Sequence, residues 1–132
     1  MRSAGSGSSV LLLDTNILIW SAVGEKRLPT KVRQILETGE HPLFVSAVNA
    51  WEFAELEARG RLPAGLTFGL VADALSLQVL DLPSEAWTIS NRLPRHHKDP
   101  IDRMMIAHAI LADLTIITSD ATMRSYPVRS FW

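Results

Sequence analysis

The chain has 132 residues, 47% of them hydrophobic, and a formal net charge of −1 at pH 7. This length predicts one domain with a sizeable core, and the balanced charge excludes an overall basic surface for nucleic-acid binding. The absence of cysteine excludes disulfide scaffolds, thiol catalysis and zinc sites with cysteine ligands. No apolar stretch has the length of a membrane span and no secretion signal is present, so we expect a cytoplasmic protein without a membrane segment.

Residues 1–9, with the sequence MRSAGSGSS, are rich in glycine and serine and show no hydrophobic periodicity. We interpret them as a flexible tail or a remnant of cloning, and we place the folded domain at residues 10–132.

From residue 10 onward, short apolar runs that suit buried strands alternate with helical patterns. In chain order, the sequence predicts a strand at 10–14, a helix at 29–39, a strand at 43–46, helices at 47–59 and 66–76, a strand at 78–82, helices at 84–93 and 100–113, a strand at 115–119 and an edge strand at 127–132. The helix at 100–113 is apolar nearly all round and should be buried, with Asp99 as its N-cap and Pro100 at its first position. This alternation predicts an α/β fold of three layers, in which helices flank a central, mainly parallel sheet.

Four acidic residues fall where a parallel sheet places its ligands. Asp14 and Asp120 end the first and fourth predicted strands, Asp102 lies in the first turn of the buried helix, and Glu52 lies in the second predicted helix. Taken singly, each fits an ordinary N-cap, a helix-dipole partner or a solvated helix residue. Because ligands bind beyond the carboxyl ends of parallel strands, the four acids together predict a shared site.

Carboxylates that converge in this way repel one another and raise one another's pKa values unless a cation neutralises them. A ligand set made of acids favours a hard ion such as Mg²⁺ or Mn²⁺ over zinc. An ion of this kind polarises a phosphoryl oxygen and activates water for in-line attack. The residues alone therefore predict a metal-dependent hydrolase of phosphodiesters or phosphates.

The segments that carry the four acids resemble the PIN-domain ribonucleases; they read LLLDTNILIW, VSAVNAWEFAEL, HKDPIDRMMIAHA and IITSD. They are especially similar to the VapC-like toxins of bacterial and archaeal toxin–antitoxin pairs, whose third motif reads D-P-x-D-R. The resemblance covers residues 10–132, in order and at fitting spacing. It implies a PIN-like fold and an endoribonuclease that hydrolyses RNA phosphodiester bonds and, as a toxin, inhibits translation and growth.

The resemblance also implies roles for individual residues. One group is implied to be catalytic and to hold Mg²⁺ or Mn²⁺ around the scissile phosphate: Asp14, Glu52, Asp102 and Asp120. A second group is implied to support the first, through hydrogen bonds or as an N-cap: Asp99, Thr15, Asn16 and Ser119. The family further implies a homodimer and a cognate antitoxin protein that blocks the site.

The stretch 92–103 carries four basic residues and two acids, which predicts a small basic lip beside the site. We expect Arg95, Lys98 and Arg103 to contact RNA phosphates. The neighbouring His96 and His97 lack the spacing of metal ligands, and we expect them to be exposed or to contact a phosphate.

Two other functions stay open at this point. A PIN-like domain can bind RNA or protein without cleaving anything, and a need for Mg²⁺ or Mn²⁺ would separate the two cases. A Mg²⁺-dependent phospho-acceptor signalling domain also places acids at strand ends. That class needs a lysine after a late strand, whereas the last lysine here, Lys98, precedes the strand at 115–119.

Overall fold

The structure is a computed structural model that describes residues 10–132. Residues 1–9, interpreted above as a tail or cloning remnant, lie outside the described residues. The strands are β1 (Leu11–Leu13), β2 (Leu43–Ser46), β3 (Gln78–Leu80), β4 (Thr115–Ile117) and β5 (Ser130–Phe131). The helices are α1 (Thr15–Val23), α2 (Thr30–Thr38), α3 (Ala47–Ala58), α4 (Phe68–Leu75), α5 (Ala86–Arg92) and α6 (Pro100–Ala112), followed by a short 3₁₀ turn at Met123–Ser125.

The five strands form one sheet in the order β3-β2-β1-β4-β5, and every neighbouring pair is parallel. The chain moves outward from β1 through β2 to β3, and then crosses back to place β4 on the other side of β1. Adjacent strands that lead in opposite directions leave a crevice beyond their carboxyl ends. The topology therefore opens its crevice between β1 and β4, and the segments that follow these two strands carry Asp14 and Asp120.

Helices cover both faces of the sheet, which confirms the predicted three-layer α/β fold. Along β1, Leu11 and Leu13 belong to one hydrophobic core, whereas Leu12 belongs to the other. The first core also takes in buried residues of α1 and α2, and the second is filled largely by α6, including Met105 and Ile106. Because successive side chains of a strand point to opposite faces of the sheet, β1 contributes to both cores, and each core packs against its own layer of helices.

The structure differs from the predicted elements in two places. The segment that forms α1 was not predicted as a helix, because it is apolar on nearly every side and its periodicity is weak. Gly24 ends this helix in the left-handed conformation that favours glycine. Strand β3 is an edge strand, and Val79 is 46% exposed, so the prediction that this strand is buried was wrong. Among residues 10–132, no helix combines the length and apolar character that crossing a bilayer requires.

Candidate metal centre

Acidic side chains converge in a small cavity at the carboxyl edge of the sheet. The cavity measures about 110 Å³, well below the roughly 300–1,000 Å³ of typical small-molecule sites. Its lining contains five carboxylates together with two short polar side chains and one leucine: Asp14, Glu52, Asp99, Asp102, Asp120, Thr15, Asn16 and Leu56. A cavity of this size and charge suits an inorganic cation and the phosphate group of a larger ligand.

Asp14 forms the floor of the cavity, directly after β1. It is 6% exposed, and its Oδ2 accepts a 2.7 Å hydrogen bond from the Thr118 hydroxyl. Burial raises the pKa of Asp14, although the bond from Thr118 opposes the shift. Although Asp14 stands at the N-cap position of α1, its side chain makes no capping hydrogen bond. An ordinary N-cap role therefore does not explain this residue.

Glu52 is held from α3 by two polar residues. The Thr15 hydroxyl donates to Glu52 Oε1 over 2.6 Å, and the same hydroxyl oxygen accepts a 3.0 Å bond from Asn49 Nδ2. Burial raises the pKa of Glu52, and the charges of Asp99 and Asp14 add to the rise. The sequence analysis did not single out Asn49, which is fully buried. Its position three residues before Glu52 places both on one helix face and was the available signal.

Asp102 projects from the first turn of α6, and its pKa is strongly raised. Burial raises its pKa to about 7, the charges of Asp14 and Asp99 add to the rise, and His97 opposes it. A nearby cation stabilises the ionised form of such a carboxyl group, because it offsets the repulsion from the neighbouring carboxylates that favours the protonated form.

Asp120 has a different environment at the rim of the cavity. Its Oδ1 accepts hydrogen bonds from the backbone amides of Thr122 (2.8 Å) and Met123 (3.3 Å), and its Oδ2 lies 2.8 Å from His97 Nε2. Burial pushes the pKa of Asp120 upward, but the hydrogen bonds from His97, Met123 and Thr122 outweigh it and leave the pKa below its usual value.

His97 lies inside this cluster, which corrects the expectation that it is exposed. Its ring has 15% exposure, and its Nε2 is also 3.0 Å from Asp102 Oδ2. The neighbouring His96 is exposed and packs on Tyr126, with 5.1 Å between ring centroids. Adjacent side chains point apart in most local structures. One histidine of the pair therefore faces the site, and the sequence does not reveal which one.

The residues implied to support the acids divide into two groups. Thr15, Asn16 and Asp99 line the cavity, and Asp99 Oδ1 also caps α6 by accepting a 2.9 Å bond from the Ile101 amide. Ser119 does not line the cavity. The supporting hydrogen bonds come from its neighbour Thr118, whose hydroxyl donates to Asp14 and accepts a 3.1 Å bond from the Asp120 amide. Because β4 ends at Ile117, Thr118 faces Asp14.

The three residues that were predicted to contact RNA differ in their exposure. Arg95 and Lys98 are exposed, whereas Arg103 is only 3% exposed. The Arg103 guanidinium donates to the carbonyl oxygens of Ser90, Leu93 (3.2 Å) and Pro94 (2.9 Å). The prediction that Arg103 contacts RNA was therefore wrong: it faces inward from α6 and anchors the loop that carries the basic lip.

The family model described as "PIN domain" matches residues 11–128. The chain belongs to the PIN-domain family. PIN domains are generally nucleases, and the resemblance stated from the sequence is confirmed at the level of this family. No curated protein sequence matches the chain.

Many solved structures are similar to this PIN domain in fold, among them the following three. VapBC2 from Rickettsia felis, bound to a promoter DNA fragment, has a TM-score of 0.66 at 15% identity, and a toxin–antitoxin complex from Klebsiella pneumoniae has 0.65 at 20%. FitAcB from Neisseria gonorrhoeae has a TM-score of 0.64 at 19% identity. Each match covers 92% of this chain and 96% of the other. At these identities the likeness establishes the fold.

The donor set of the PIN domain fits a hard divalent cation. The cavity offers carboxylate oxygens and hydroxyl or amide oxygens, with no thiol. Three of its acids, Asp14, Glu52 and Asp102, have raised pKa values that a cation would lower.

Proposed function

We propose that this PIN domain is a divalent-metal-dependent endoribonuclease that hydrolyses RNA phosphodiester bonds. The observation that carries the proposal is the set of five carboxylates around one small cavity, with the pKa of Asp102 raised to about 7. Repulsion stored in such a cluster is relieved when Mg²⁺ or Mn²⁺ binds, which makes ion binding favourable.

The residues that would hold the ion are Asp14, Glu52, Asp102 and Asp120. When bound, Mg²⁺ or Mn²⁺ supplies Lewis acidity toward a phosphoryl oxygen. Thr118 and Thr15 restrain the rotamers of Asp14 and Glu52, because each hydroxyl donates to one carboxylate oxygen and leaves the other oxygen free of that bond. Asp99 adds negative charge that strengthens the attraction for the cation.

RNA would approach from the loop before α6. Arg95 and Lys98 are exposed on this loop, and it also carries His97 and Asp99 to the cavity. Positive side chains here can contact the phosphates that flank the scissile bond without entering the acidic cavity. The small cavity volume agrees with a phosphate at the acids and nucleosides outside them.

The cleavage of end-labelled structured RNAs tests this proposal. Wild-type protein is assayed with Mn²⁺, with Mg²⁺ and with chelator, beside Asp14→Asn and the control Asp73→Asn, which changes an exposed acid on α4. We expect discrete cuts that require metal, persist in Asp73→Asn and disappear in Asp14→Asn. Equal cleavage by wild type and Asp14→Asn would contradict the proposal. A wild-type protein that binds RNA, does not cut it and does not need metal would favour the binding-only alternative.

We also propose that the chain is a toxin with a cognate antitoxin and that it forms a homodimer in the cytoplasm. The support is the family, together with solved structures of similar fold that are described as toxin–antitoxin complexes. Trp51 on α3 and Leu70 on α4 are 56% and 58% exposed, and such apolar side chains suit a protein partner. Growth arrest on expression of wild type but not of Asp14→Asn, and a dimeric mass by light scattering, are the expected results.

A further inference from the structure

His97 makes contacts at both ring nitrogens, and their directions define its tautomer. The backbone amide of Asp99 donates a 3.1 Å hydrogen bond to Nδ1, so Nδ1 carries a lone pair and no hydrogen. The proton of the imidazole is therefore on Nε2. This nitrogen lies 2.8 Å from Asp120 Oδ2, as a hydrogen-bond donor, and 3.0 Å from Asp102 Oδ2.

The backbone of His97 is also fixed on both sides. Its amide donates a 2.8 Å bond to the Tyr126 hydroxyl oxygen, and that hydroxyl donates a 2.7 Å bond to the Pro94 carbonyl. The buried guanidinium of Arg103 lies 3.4 Å from the His97 carbonyl oxygen and is hydrogen-bonded to it. These bonds hold the backbone of His97, and the Asp99 amide holds its ring, so the Nε2–H group is directed at the two acids.

We propose that His97 is a positioning residue of the metal centre, which uses its Nε2–H group to hold the Asp102 and Asp120 carboxylates side by side without itself becoming a ligand. The inference rests on the proposed function, because it assumes that these acids receive a divalent ion. Both contacts use the Oδ2 atoms, which leaves Oδ1 of Asp102 for the ion.

Three ligand-type atoms of His97, Asp102 and Asp120 lie within 4.8 Å of one another, a spacing that would also suit direct coordination by the histidine. The Asp99 amide argues against that arrangement. A neutral imidazole that binds a metal through Nε2 carries its proton on Nδ1, where it would face the hydrogen of the Asp99 amide instead of accepting it. Donation from Nε2 to the acids agrees with the bond from the Asp99 amide to Nδ1, whereas coordination through Nε2 conflicts with that bond.

Magnesium titration by calorimetry and ¹⁵N NMR of the histidine rings test the proposal. The variants are His97→Ala, His97→Gln and the control His96→Ala at the neighbouring position. In His97→Gln the amide nitrogen can donate a hydrogen bond from about the position of Nε2. Since removal of a group that orients metal ligands typically costs about 10- to 100-fold in metal affinity, we expect at least a tenfold loss in His97→Ala. His97→Gln should recover most of the affinity, and His96→Ala should bind as wild type does.

In the NMR spectra of wild-type protein, the proton should stay on Nε2 of His97 with and without Mg²⁺. A shift of that proton to Nδ1 when Mg²⁺ binds would overturn the proposal in favour of direct coordination. Binding by His97→Ala that equals or exceeds that of wild type would also overturn it. If wild type binds neither Mg²⁺ nor Mn²⁺, the proposed function itself fails; if wild type binds the ion and His97→Ala binds it equally well, only the role of His97 fails.

Discussion

The floor of the cavity and its rim hold the same chemical group in two different states. At the floor, Asp14 is buried and Asp102 is half-buried beside other acids, and the pKa values of both are raised. At the rim, Asp120 accepts hydrogen bonds from two backbone amides and from His97, and its pKa is lowered. The depth of burial makes the difference, because Asp14 also accepts a hydrogen bond, from Thr118, but is 6% exposed, whereas the Asp120 side chain is 34% exposed.

This difference indicates separate roles for the floor and the rim. At the floor, the carboxylates repel one another, and a bound cation would relieve that repulsion. The rim keeps one carboxylate ionised and oriented before any ion arrives. The following predictions alter the rim or the floor separately, from the largest expected effect to the smallest.

Arg103→Met should remove the anchor of the rim and destabilise the whole domain. The variant removes a buried, charged donor from the carbonyl oxygens of Ser90, Leu93 and Pro94, of which Pro94 keeps the bond from the Tyr126 hydroxyl. We expect a loss of about 3 kcal/mol in the free energy of unfolding. Urea denaturation measures it, with Arg95→Met, at an exposed position, as the matched control. A change below about 0.5 kcal/mol in Arg103→Met would show that the rim does not depend on this anchor.

Asp102→Asn and Asp120→Asn should change stability in opposite directions when measured with chelator near neutral pH. Asp102→Asn removes a charge from the floor and should stabilise the metal-free domain by on the order of 1–2 kcal/mol. Asp120→Asn loses charge-assisted hydrogen bonds and should destabilise it by about 1 kcal/mol, since solvent screens a side chain that is 34% exposed. The comparison between floor and rim fails if both variants shift stability in the same direction.

The pH dependence of metal binding should reflect the protonation of Asp102 at the floor of the cavity. Below its pKa of about 7, Asp102 holds a proton that the ion must displace, so Mg²⁺ should bind about tenfold more tightly near pH 8 than near pH 6. Because this pKa exceeds the 3.8 expected of an unfolded chain, the metal-free domain should lose stability as pH rises from about 4 to about 7. Calorimetry at both pH values should show a smaller change in affinity for Asp102→Asn than for wild type, since Asp14 and Glu52 also have raised pKa values. A wild-type affinity that does not change with pH would contradict the raised pKa.

Lys98→Ala should have the smallest effect. As one phosphate contact of the proposed RNA path, Lys98 should contribute roughly one unit to the slope of log affinity against log salt concentration. Binding is measured in an Asp14→Asn background, so that the RNA is not cut, over about 50 to 200 mM salt. Lys26→Ala, which changes an exposed lysine after α1, is the control. An unchanged slope in Lys98→Ala would remove the loop before α6 from the RNA path.

The sequence predicted much of the fold because its apolar runs and helix stops are strong local signals. Strand β2 and the start of α6 lie where the pattern put them, with Asp99 as the N-cap. The segment of α1 escaped prediction because its apolar residues are spread around the helix and give it little amphipathic character.

At the site, the sequence located the acids but not the donors that tune them. The strand ends and the buried helix determine where Asp14 and Asp102 lie. Whether Thr118 or Ser119 faces Asp14 depends on where β4 ends, to within one residue. The inward turn of His97 and Arg103 depends on tertiary contacts with Tyr126 and with the carbonyls of the loop, which no local pattern encodes.

Single-turnover RNA cleavage, measured together with Mn²⁺ binding to the same preparation, tests the central claim most directly. If the acidic cavity is the metal centre of an endoribonuclease, half-maximal cleavage should occur at the Mn²⁺ concentration that half-fills the site. In Asp102→Asn, binding should weaken and cleavage should fall by roughly a thousandfold, about 4 kcal/mol of lost transition-state stabilisation. Cleavage that persists in chelator, or that Asp102→Asn leaves unchanged while binding weakens, would contradict the account.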